Sequence, residues 1–98
     1  MTIASEVVEN GIKLLDTKEL GWRDKIDKEI DIKSTTTCPL GQIYKNHPMV
    51  KELDTTPFLY GVYYLGISGS CHLYGFGTRG KSYNDIDSLN EEWKRQLS

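Results

Sequence analysis

Apolar residues Ile3, Val7, Val8, Ile12 and Leu15 recur four, one, four and three positions apart. That is the stripe of an amphipathic helix, with Glu6, Glu9, Asn10 and Lys13 on its wet side. Asp16, Thr17 and Gly21 weaken the stripe and predict that the helix ends near them. In the charged stretch WRDKIDKEIDI, Trp22, Ile26 and Ile30 lie four apart, can share a face, and read as core anchors. At the other end of the chain, Ile86, Leu89, Trp93 and Leu97 are spaced three, four and four, while Asp87, Asn90, Glu91, Lys94 and Arg95 fill the opposite side. This predicts a terminal helix, N-capped by Asn84 or Asp85, with its acidic residues early and its basic residues late, as the helix dipole favours.

The middle of the chain has weaker periodicity. Thr37 or Cys38 directly before Pro39 suits a helix start, because proline is tolerated in the first turn, where its missing N–H has no partner to lose. A helix of about two turns is expected there, ended by His47-Pro48. The stretch PFLYGVYYLGISGSCHLYGFG fits two patterns. Aromatic and β-branched residues flanking Ser68-Gly69-Ser70 suit a hairpin, and Leu59, Tyr63 and Gly66 suit a helical face. The expected fold is mainly α, a small single-domain helical structure over residues 1–98 with an irregular glycine- and tyrosine-rich segment; the alternative is α+β with a hairpin at about 58–77.

Composition narrows the partners. A chain of 98 residues has room for one modest core. Its 12 basic and 14 acidic residues give no overall field that would draw it onto nucleic acid or an anionic membrane. The first residues lack a basic region followed by an apolar run, and no segment approaches the ~20 apolar residues of a membrane span. Cys38 and Cys71 are then expected to be reduced thiols, and the protein to be soluble and cytoplasmic.

Several blocks resemble a family of small, largely uncharacterised proteins of phages and prophages, chiefly of Gram-positive hosts. The matching residues are Leu14-Leu15-Asp16, Gly21-Trp22-Arg23-Asp24-Lys25-Ile26-Asp27, Cys38-Pro39-Leu40-Gly41-Gln42-Ile43-Tyr44, Leu65-Gly66-Ile67, Gly75-Phe76, Leu89 and Trp93. The most specific part is C-x-L-G-Q following G-W-x-x-x-I. The resemblance spans most of the chain and implies a mostly helical fold, with helix favoured over hairpin at 58–67. It also implies a phage accessory product made in a bacterial cytoplasm. It transfers no activity.

Residues 75–82, GFGTRGKS, match the Walker A pattern G-x-x-x-x-G-K-[S/T]. A P-loop wraps phosphates with the N–H groups of a glycine turn between a strand and a helix, and needs a parallel sheet with a second carboxylate on another strand. Only residues 83–98 follow the motif, too few for that sheet. The family pattern has no Walker sequence at this place. Arg79 and Lys81 on the glycine loop remain candidates for a phosphate contact near a helix N-terminus, against the alternative of a solvated loop.

The two cysteines with His47 and His72 lack the C-x-x-C or H-x-x-x-H clip of a zinc site, and a Cys38–histidine nucleophilic pair is not visible in sequence. No cofactor, metal or catalysis is expected. Tyr60, Tyr63, Tyr64, Tyr74, Phe76 and Tyr83 concentrate beside His72, Arg79 and Lys81. Rings next to cations can sandwich a nucleobase and neutralise phosphate, although tyrosines equally build a core or a dimer interface. The candidate ligand set is Tyr60, Tyr64, His72, Tyr74, Phe76, Arg79 and Lys81, with Trp22, Arg23 and Gln42.

The leading expectation is a non-enzymatic binding protein that sequesters a small anionic, nucleotide-like ligand in counter-defence. The alternative is an inhibitor of a host defence protein, using the acidic faces around Asp24–Asp31 and Asn84–Glu92. Nucleic-acid binding ranks third, because the charges of WRDKIDKEID and EEWKRQ are interleaved rather than striped. Self-association into a homodimer or larger ring is expected from the apolar aromatic surface.

Overall fold

The computed structural model describes residues 4–27, 29–77 and 86–97. Among these the chain forms five α-helices and no strand, as expected for a mainly α fold: α1 Ala4–Lys18, α2 Pro39–Tyr44, α3 Pro48–Glu52, α4 Pro57–Leu65 and α5 Ile86–Leu97, with 3-10 turns at Trp22–Lys25 and Cys71–Tyr74. The expected N-caps Asn84 and Asp85 lie outside the described residues, as do Arg79 and Lys81.

The hairpin alternative at 58–77 is not adopted. Thr56 caps α4 by accepting from the Leu59 N–H at 3.2 Å, Pro57 occupies its first turn, and Gly66 closes it at φ 72, a left-handed conformation natural to glycine. The stretch after Gly21 is not a helix beyond one 3-10 turn: Ile26 is extended at φ −116, ψ 137. Trp22 and Ile30 are nevertheless buried, so their anchoring role stands without the helical spacing that suggested it. His47-Pro48 ends one helix and starts another. The His47 Nδ1 accepts from the Met49 N–H at 3.1 Å and caps α3.

The buried faces of α1 (Val7, Val8, Leu15) and α5 (Leu89, Trp93) meet the 3-10 turn at 71–74 and Phe76. Phe76 stacks on Trp93 with centroids 5.5 Å apart, and the Trp93 indole donates to the Gly75 carbonyl at 2.7 Å, which satisfies its one polar atom. Gly11 permits the close approach on this side: a Cβ there would sit 2.2 Å from the Tyr74 carbonyl oxygen. On the other side α2 packs on α4, where Gly61 lets the helices meet over Tyr44.

The two halves are tied by polar contacts. The Tyr44 hydroxyl donates to Glu19 at 2.9 Å, Trp22 Nε1 donates to Asp16 at 2.9 Å, and the Ile32 N–H donates to Asn90 on α5 at 2.8 Å. Among the described residues no helix is long and apolar enough to cross a membrane.

Candidate binding surface

The candidate residues separate into three groups. Trp22, Gln42 and Phe76 are 1, 5 and 2% exposed and belong to the interior. Gln42 spends its amide on the backbone: Oε1 accepts from the Asp27 N–H at 2.6 Å, and Nε2 donates to the carbonyls of Glu29 at 3.0 Å and Thr37 at 2.8 Å. Arg23 lies 4.6 Å over the Trp22 ring and 3.4 Å from Asp16, so it covers a core residue from outside. His72 and Tyr74 are half-buried, and Tyr74 lines a groove against α1 with Asn10, Lys13 and Leu73.

Tyr60 and Tyr64 form the third group, joined by Tyr44 and His47 from outside the candidate ligand set. Tyr60 packs edge-on to Tyr44 at 5.5 Å, lies 4.7 Å from the His47 ring and stacks on Tyr64 at 6.0 Å. Beside this cluster runs an open groove of about 720 Å3 whose lining mixes Lys45, His47 and Lys51 with Glu52, Asp54 and Thr55. Since His47 Nδ1 accepts a backbone N–H, the neutral ring keeps its proton on Nε2. Thr55 also borders a shallow depression of about 370 Å3 formed with Leu53, Leu59, Tyr60 and Tyr63.

That depression lies on the most unusual surface of the described chain. Leu59 and Tyr63, one turn apart on α4, are 55 and 76% exposed, and Leu53 at the end of α3 is 52% exposed. The opposite side of α4 buries Gly61, Val62 and Leu65. The helix is therefore apolar on both sides, a pattern found where both sides are covered. Between Asp54 and Arg79 the sequence has no Asp, Glu, Lys or Arg, although charged residues make up 27% of the chain. That uncharged run was the signal available in the sequence for this surface.

The titratable interior points away from nucleophilic chemistry at Cys38. Its thiol accepts the Gly41 N–H at 3.2 Å as the cap of α2, is 1% exposed, and has its pKa pushed by burial from 9.0 to about 11. Burial, then the hydrogen bond to Glu19, likewise raises the Tyr44 phenol. Both groups hold their protons more tightly in the folded chain. Below about pH 9 this has no effect; from pH 9 to 11 the unfolded thiol ionises first, so stability falls as pH rises. A loss on the order of 3 kcal/mol is expected across that window. Urea unfolding at pH 7.5 and 10.5 measures it, and Cys38→Ser, which keeps an oxygen for the cap, is expected to reduce the difference. Iodoacetamide at pH 8 should leave Cys38 unmodified until the chain unfolds.

Among the described residues no group of three or more His, Cys, Asp or Glu side chains is placed to hold a metal ion. Comparison with protein-family models, with curated proteins and with solved structures gives no match, so the site is read from its own chemistry.

Proposed function

We propose that this is a non-catalytic accessory protein of a phage, acting in the bacterial host by binding, and that it grips a protein partner with the outer face of α4 and the end of α3. The observation behind this reading is the exposure of Leu59 and Tyr63 beside Leu53 on a helix whose other side is already buried. Contiguous apolar surface of this kind marks interaction sites on small proteins, and tyrosine is among the residues that anchor them. The phage setting rests on the resemblance of the G-W-x-x-x-I and C-x-L-G-Q blocks, and a counter-defence role is inferred from that setting rather than from any activity of the family.

An apolar grip differs measurably from the charged one expected of the acidic stretches, because it persists at high salt. In capture from host lysate at 0.5 M salt, a stoichiometric partner is expected with the native chain and not with Tyr63→Lys or Leu59→Lys. A partner held equally by those variants, or released by salt alone, contradicts the reading.

A second reading, sequestration of a small anionic nucleotide-like ligand, is favoured by the groove where Lys45, Lys51 and the His47 ring lie beside Tyr60. It predicts a thermal shift with a cyclic nucleotide or ADP-ribose derivative that Lys45→Ala and Lys51→Ala remove. No shift across such a panel counts against it.

A further inference from the structure

We propose that a second copy of this chain covers the outer face of α4, packing α4 against α4 about a two-fold axis. This rests on the reading of that face as a binding surface and names its partner. In a two-fold interface the same patch meets itself, so a charge near the axis faces its own like. The outer faces of α1 and α5 have such charges, Glu6, Glu9 and Lys13 on one and Glu91, Lys94 and Arg95 on the other. The exposed face of α4 has none, with only Leu59, Tyr63 and Tyr64 presented to solvent.

Its rim is complementary to itself as well. Lys51 lies next to Glu52 and Asp54 at the end of α3, all exposed, so two rims meeting in opposite directions set basic against acidic groups. Leu53, Leu59, Tyr63 and Tyr64 together leave on the order of 500 Å2 uncovered, which with the rim approaches the ~800 Å2 per partner of an ordinary interface. The interface is therefore at the small end of those that hold, and its association is sought in the micromolar range. The groove of Lys45, His47 and Lys51 adjoins this face at Thr55, so the second copy also forms a neighbouring wall of that groove.

Sedimentation velocity from 5 to 300 µM tests this on the native chain, Tyr63→Lys, Leu59→Lys and, on α1, Glu9→Lys as a control. The native chain and Glu9→Lys are expected to move from monomer to twice the monomer mass and stop there. Both α4 variants should keep native circular dichroism and weaken the association at least tenfold. A native chain that stays monomeric to 300 µM, a dimer indifferent to both α4 variants, or growth without a limit at two copies overturns the proposal. A monomeric chain that still captures a protein through Tyr63 sinks the second copy alone. A Tyr63-dependent dimer that captures nothing sustains it while the host-partner reading fails.

Discussion

Gln42→Leu is expected to destabilise the chain by about 2 kcal/mol, although leucine is apolar and of similar size in a buried position. The amide answers three main-chain groups at once, the Asp27 N–H and the carbonyls of Glu29 and Thr37. Leucine leaves the first two without the partner seen here and removes one donor from the Thr37 carbonyl, which keeps the Asp31 N–H at 3.3 Å. Asp27 and Glu29 are exposed residues, so water takes up part of what is stranded and each lost bond costs about 1 kcal/mol. In a chain of this size the melting temperature then falls on the order of 10 °C. Gln42→Glu keeps the acceptor for Asp27 but points a carboxylate at two carbonyls, so it should rescue little. A change of less than 1 kcal/mol in either variant would mean that Gln42 does not hold the 27–37 segment.

Gly11→Ala runs against helix propensity. Alanine in place of a mid-helix glycine normally adds about 1 kcal/mol of stability. Here its methyl would sit 2.2 Å from the Tyr74 carbonyl oxygen, with the Phe76 and Trp93 rings at 3.2 and 3.3 Å. The carbonyl is backbone and cannot rotate aside, so α1 must move about 1 Å off the 71–76 segment. Overpacking of this kind costs about 1–3 kcal/mol and occasionally more. A net loss of about 3 kcal/mol is expected, read by urea unfolding, while Glu9→Ala on the exposed side should stay within about 0.5 kcal/mol. A more stable Gly11→Ala protein would mean that α1 does not lie against Tyr74 as described.

These sites show what the sequence made legible. α1 and α5 were readable because each has one apolar stripe and one charged side, so the helical period stands out. α2 was readable from Cys38-Pro39. α4 was ambiguous between helix and hairpin because its outer face is apolar too; with no polar side, Leu59, Tyr60, Val62, Tyr63 and Leu65 display no period. The property that obscured the helix is the one that makes its surface a candidate site.

α3 was missed because Pro48-Met49-Val50-Lys51-Glu52 is too short for periodicity, and a proline that stops one helix equally opens the next. The four-residue spacing of Trp22, Ile26 and Ile30 fits a shared face, and nothing local reveals that Gln42, fifteen residues away from Asp27, captures that backbone. The candidate ligand set mixed interior and surface for the same reason. Tyr60 and Tyr64 do share a cluster, but Trp22, Gln42 and Phe76 are spent on packing, a distinction that depends on contacts far apart in the chain.

Intermolecular NOEs in an equal mixture of isotope-labelled and unlabelled chain at 500 µM test most directly whether a second copy of this protein grips the outer face of α4. Contacts between copies at the Tyr63 ring and the Leu59 and Leu53 methyl groups are predicted. Contacts that instead arise from α1 or α5, or a complete absence of contacts between copies, would contradict it.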